Sequence, residues 1–189
     1  MLPYKKPTKA EMAAAANQTV PDIIAPNLKV LFCGINPSLY TAVVGHRFAR
    51  PGNRFWPVLH RAGFTPYLFA PHQDVELLQL GYGITDVVAR ATVSADQLAR
   101  EEFVEGGKRL VEKVKNYKPQ VLAVLGITAY RKAFDCAGAG IGLQEQTLGS
   151  TRIWVLPNPS GLNAHFPPEA LAEVYRELRL FSDAQSTKS

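Results

Sequence analysis

Four short apolar runs alternate along the chain with stretches whose apolar positions recur at helical spacing. The runs are LKVLFCGI (28–35), GITDVV (83–88), QVLAVLG (120–126) and RIWVLPN (152–158). All are apolar enough for strands covered on both faces. The helical patterns lie at Asn53–Ala62, Gln73–Leu80, Ser94–Asn116, Thr128–Cys136 and Pro168–Phe181, with Ser94 as a candidate cap of the longest. The order β, α, β, α, β, α, β, α predicts an α/β fold, a three-layer αβα sandwich around a central, mostly parallel sheet. Gly106-Gly107 is expected to bend or split the long helix. Residues 1–26 are expected to form a mobile arm with a short helix from Lys9 to Asn17. The domain would then span 27–181, with a frayed tail at 182–189.

Two of the runs lead into Asn-Pro loops, FCGINPS (32–38) and WVLPNPSGLN (154–163). In an open α/β sheet, ligands bind beyond the carboxyl ends of the strands, so these loops can converge on one pocket. No GxGxxG follows the first strand and no GxxxxGK[ST] occurs, which removes the main support for dinucleotide- and phosphate-binding folds.

Composition adjusts this picture only slightly. A chain of 189 residues with 47% hydrophobic content suits one domain with a sizeable core. A net charge of +5 is compatible with a polyanionic partner without requiring one. Cys33 and Cys136 form no CxxC pair and read as buried free thiols, while His46, His60, His72 and His165 lack metal-ligand spacing. No cofactor or metal is expected. The apolar stretch at 12–16 is too short for a signal-peptide core or a membrane span, so a cytoplasmic protein is expected; separately, the chain is expected to be a monomer.

GINPS, FARPGNRFW (48–56), GITDVV, LAVLG and WVLPNPSGLN, in this order, resemble the uracil-DNA glycosylase superfamily, most closely its mismatch-specific thymine/uracil branch. The resemblance runs from about Val20 to Phe181. It implies a monofunctional enzyme that hydrolyses the N-glycosidic bond of uracil, and more slowly thymine or modified pyrimidines, mispaired with guanine in double-stranded DNA. Its partners would be duplex DNA with a G·U or G·T mispair and the abasic product. A non-catalytic module that holds mismatched or abasic DNA is the alternative.

Glycosidic cleavage builds positive charge on the sugar and negative charge on the departing base, so it needs an aligned water and donors around the pyrimidine. Asn36 is the candidate for the water, since its carbonyl can accept a hydrogen bond but cannot take a full proton; a structural Asn-Pro turn is the other reading. The strictly uracil-specific branch carries Asp at the position of Asn36 and His at that of Asn158, which implies a slower enzyme here. Asp86 stands where enterobacterial relatives carry Lys. It either activates the water or serves structure, capping a helix or pairing with Arg90.

Phe48 matches the aromatic that stacks on the flipped base, with a core Phe as the alternative. Backbone N–H groups near Ile35 and Phe48, together with the Asn158 amide, match the contacts to the pyrimidine carbonyls. Ser38 replaces a bulky Tyr of the uracil-specific branch and leaves room for a 5-methyl group, unless Tyr40 refills it. Ser160, Gly161, Leu162 and Asn163 match the loop that enters the duplex, with Leu162 as the wedge and Asn163 in place of the Ser of close relatives. Arg47, Arg50 and Arg54 are candidates for phosphate contacts.

Overall fold

The computed structural model describes residues 5–186. Five strands are present: β1 (Val30–Gly34), β2 (Tyr82–Asp86), β3 (Val121–Leu125), β4 (Gly142–Leu148) and β5 (Thr151–Leu156). They form one sheet in the order β2-β1-β3-β5-β4, parallel except for β4, which runs antiparallel to β5. The helices are α1 (Lys9–Ala14), α2 (Leu39–Val44), α3 (Phe55–Arg61), α4 (Arg100–Tyr117), α5 (Ile127–Phe134) and α6 (Pro168–Ser186). A ten-residue 3-10 helix occupies Pro71–Leu80 and a short one Ala95–Gln97.

Strand pleating explains the three layers. On one face Val30, Phe32, Val121, Ala123, Leu125, Trp154 and Leu156 meet Phe55, Trp56 and Leu59 of α3 and Leu171, Tyr175 and Leu178 of α6. The alternate residues Leu31, Cys33, Leu122, Val124, Ile153 and Val155 meet Phe103, Leu110 and Val114 of α4 and Ala129 and Tyr130 of α5. Every residue of β1 and β3 is therefore buried. That double burial is the reason these strands read as unbroken apolar runs.

Four sequence expectations need correction. First, β4 was not anticipated: GLQEQTL is an exposed edge strand, joined to β5 with a register irregularity, and it carries no apolar run. Second, α4 is one continuous helix across Gly106-Gly107. A Cβ on Gly106 would overlap the Val87 carbonyl, and one on Gly107 the Ala133 carbonyl. The glycines let the helix press onto its neighbours, and they do not break it. Third, Ser94 caps the 3-10 turn at 95–97, not α4, which starts at Arg100.

Fourth, the ends pack more than expected. Ala15, Val20 and Ile23 are buried, and Ile23 exchanges backbone hydrogen bonds of 2.9 and 2.7 Å with Ile84. Thr19 bridges Arg90. The folded unit therefore begins well before Asn27. At the other end α6 runs to Ser186 with Ser182 fully buried. The expected arm and tail lie outside the described residues only at 1–4 and 187–189. Cys33 is buried and Cys136 half-buried, both as free thiols.

Candidate active site

After β1 the chain turns to β2 on one side and later places β3 on the other, which opens a crevice at the carboxyl ends of these strands. A cleft of about 400 Å³ occupies it, within the range of small-molecule sites. Its walls bring together Ile35, Asn36, Ser38, Phe48, Asp86, Asn158, Ser160 and Leu162, so both Asn-Pro loops converge as anticipated. Gly161 and Asn163 are outside the cleft lining but belong to the same loop.

Asn36 is oriented by its surroundings. Its Nδ2 donates to the Arg90 carbonyl at 2.9 Å and to Thr92 Oγ1 at 2.8 Å. The Thr92 hydroxyl spends its own proton on the Ser94 carbonyl at 2.8 Å, so toward Asn36 it can only accept. Two acceptors fix the amide nitrogen on that side and leave Oδ1, which has no partner among the described residues, to accept from a water. Thr92 and the Arg90 carbonyl are functional groups that sequence reasoning missed. They lie 56 and 54 positions from Asn36, and nothing in the ATVS stretch announces the contact.

Asp86 closes β2 in register with Gly34, the last residue of β1. A Cβ on Gly34 would overlap Asp86 Oδ1 and lie 3.3 Å from the Phe48 ring, so this glycine creates the room both side chains use. Asp86 Oδ2 pairs with Arg47 Nη1. Oδ1 accepts no hydrogen bond from a described residue. Burial pushes the Asp86 carboxyl above its ordinary range, and the Arg47 guanidinium opposes that rise without cancelling it. The anticipated pairing with Arg90 is not made, because Arg90 Nη2 is bonded to Glu102 at 2.9 Å.

Arg47 is only 3% exposed, so it is not a phosphate contact. Its Nη2 donates to the Val20 carbonyl at 2.8 Å, the Pro21 carbonyl at 2.9 Å and Asp22 at 3.2 Å. Asp22 in turn pairs with Lys113 and accepts from Thr85 Oγ1 at 2.9 Å. A chain of buried and half-buried charges therefore runs from Lys113 to the cleft, and residues 20–22 hold its central cation. Arg54 is also turned inward, onto the carbonyls of the second loop. Arg50 is exposed and lines the cleft, and it alone of the three is placed to meet a phosphate.

Phe48 adopts φ +54°, a left-handed conformation that costs a bulky residue about 1–2 kcal/mol. The strain places its ring in the cleft, with one side stacked on Phe55 at 4.0 Å. Asn158 also lines the cleft, and its Oδ1 accepts from the Ser160 N–H at 2.9 Å, which leaves the Asn158 Nδ2 donors for a ligand. Ser38 caps α2 by accepting from the Thr41 N–H at 3.2 Å. Tyr40 is buried and does not line the cleft, so the space beside Ser38 stays open.

In the second loop Leu162 is 82% exposed. The Asn163 amide is engaged within the loop: its Nδ2 donates to the Asn158 carbonyl at 3.0 Å, and its Oδ1 accepts from the His165 N–H at 3.2 Å. This side chain shapes the loop and is not presented outward.

The family model for the Uracil DNA glycosylase superfamily matches residues 21–179, starting inside the segment expected to be an arm. Among solved structures, the solution NMR structure of a candidate uracil DNA glycosylase from Methanosarcina acetivorans superposes with a TM-score of 0.57. The two chains are 21% identical over 86% of this chain and 98% of that one, a likeness that bears on the fold.

Proposed function

The chain belongs to the uracil DNA glycosylase superfamily, and on that premise we propose that it hydrolyses the N-glycosidic bond of uracil, and more slowly thymine, mispaired with guanine in duplex DNA. The observation that carries this reading is the fixed Asn36 amide in the cleft wall, whose Nδ2 is held by the Arg90 carbonyl and Thr92 while its carbonyl is left to accept.

The base leaves the stack and enters the cleft, where Phe48 covers its π-face. Asn36 Oδ1 accepts from a water and aims it at the anomeric carbon. As the water oxygen bonds to that carbon, the C–N bond breaks and its electron pair departs on the pyrimidine. Asn158 Nδ2 and the backbone N–H groups of Ile35 and Phe48 donate to the carbonyls that receive this charge. The water's proton passes to Asp86 Oδ1, whose burial makes it a stronger base than an ordinary carboxylate. The ionised form also stabilises the cationic sugar. The open space beside Ser38 admits the thymine methyl.

Alkali-revealed strand cleavage of duplexes bearing one G·U, A·U or G·T pair, and of single-stranded uracil DNA, tests the reading. Release confined to mispaired duplex is expected. Equal release from all uracil substrates would refute mismatch selectivity, and none from any would leave a binding module.

A further inference from the structure

We propose that Arg54 is a positioning residue that builds the Leu162 loop into its DNA-entering shape before DNA arrives. This deepens the reading above and rests on Leu162 acting as the wedge. The Arg54 guanidinium reaches both ends of the loop. Its Nη2 donates to the Ser160 carbonyl at 2.7 Å and the Asn163 carbonyl at 3.0 Å, and its Nη1 donates to the Phe166 carbonyl at 2.6 Å. The Arg54 backbone N–H adds a bond to the Pro159 carbonyl at 2.9 Å.

Such charge-assisted bonds are stronger than neutral ones, and a planar fork can hold carbonyls that a lysine cannot hold together. The loop is tightened further where Gly161 lies against the Gly52 carbonyl, at a spacing that no Cβ would fit. Within the loop the Asn163 N–H donates to the Ser160 carbonyl at 3.0 Å and the Leu162 N–H to Ser160 Oγ at 3.3 Å.

The result is an unusual pairing of features: a leucine exposed to water on a backbone that is pinned on both sides. Exposure costs hydration free energy that an inward-facing side chain would avoid. Holding the loop in one shape removes an ordering cost that binding would otherwise carry. Arg54 therefore contributes to DNA recognition through carbonyl oxygens and not through phosphates. Its fixed donors set the height and direction of the Leu162 side chain.

A double-mutant cycle tests this, with Arg54→Gln, Leu162→Ala and the double variant. Single-turnover base release from G·U duplex is expected to slow on the order of tenfold in each single variant. The double variant should be no more than about twofold slower than the slower single one, because both changes remove the same wedge. Losses that multiply would overturn the proposal and place Arg54's effect elsewhere.

If the wild-type protein releases no base, the glycosylase reading fails by itself. The cycle is then read in the dissociation constant for a duplex containing a tetrahydrofuran abasic analogue. Coupled losses there keep the positioning role, and independent losses overturn it. Should Arg54→Gln not fold, hydrogen exchange of the wild-type protein without DNA decides: the Asn163 backbone N–H is expected to exchange at least about tenfold slower than an unstructured peptide. Exchange at the peptide rate would overturn the proposal.

Discussion

Replacing Arg47 by Met keeps most of the aliphatic bulk and removes the guanidinium that Asp86 faces. Leaving one member of a buried ion pair without its partner costs roughly 3–5 kcal/mol, and the Val20 and Pro21 carbonyls lose donors worth about 1 kcal/mol each. Against a total stability of about 5–15 kcal/mol the loss is large. It should also depend on pH, with a sign that follows from Asp86. Burial already raises the carboxyl's folded-state pKa above its unfolded value. Stability from this group is therefore full at low pH and is lost as pH rises through the folded value.

Without Arg47 that value climbs further, since Asp22 and Lys113 are the remaining charges facing the carboxyl. The gap between wild type and Arg47→Met should shrink at low pH to the roughly 2 kcal/mol owed to the two carbonyls. It should widen by at most about 1.4 kcal/mol per pH unit between the two folded values, then level off. Urea denaturation from about pH 4 to pH 8 measures it, with slopes checked for two-state behaviour. Adding Asp86→Asn should return most of the loss at neutral pH. A gap that stays constant across the range, or no recovery in the double variant, would refute the reasoning.

Further outcomes follow from the same geometry. Asn36→Ala should slow base release by at least about 100-fold in single-turnover assays while leaving affinity for an abasic-analogue duplex within about threefold, because the carbonyl aims a water and does not grip DNA. In the wild type, the release rate should climb with pH as the raised Asp86 carboxyl ionises and then plateau. Asp86→Asn should remove that limb and lower the plateau by about 100-fold or more, whereas unchanged turnover would assign Asp86 to structure. Gly106→Ala should destabilise by about 1–3 kcal/mol, read as a lower Tm, because its Cβ would overlap the Val87 carbonyl.

What the sequence could reveal depended on whether a residue's role is set by its neighbours in the chain. β1 and β3 are buried on both faces, so their runs are apolar throughout and recognisable without partners. β4 pairs on one side only and presents polar side chains to solvent, so no periodicity marks it. Isolated apolar residues such as Val20 and Ile23 look like arm residues until Ile84 is known to lie beside them. The Asn-Pro loops were legible as a site because each follows a strand. Their internal wiring was not, since Asn36 depends on Thr92 and Arg54 on carbonyls 106 to 112 positions away. Charge was the least informative signal: sequence shows three arginines after the first loop, and only folding shows that two of them point inward.

That inward turn bears on how a mispair would be chosen. With Arg47 and Arg54 bonded inside the protein, Arg50 is the arginine of this group left at the cleft mouth, so these three side chains offer a phosphate there a single cation. An enzyme with a strong backbone grip can extrude well-paired bases at the expense of binding energy. One with a weak grip depends on bases that already leave the stack easily, and mispairs are the cheapest of these. On the proposed function, selectivity for G·U over A·U therefore comes as much from what the arginines do not touch as from contacts to guanine. It follows that adding a cation at the rim, for example Val93→Lys at the exposed cleft edge, should raise release from A·U proportionally more than from G·U. The ratio of the two single-turnover rates measures this, and a ratio unchanged or shifted toward G·U would show that discrimination lies in the guanine contacts instead.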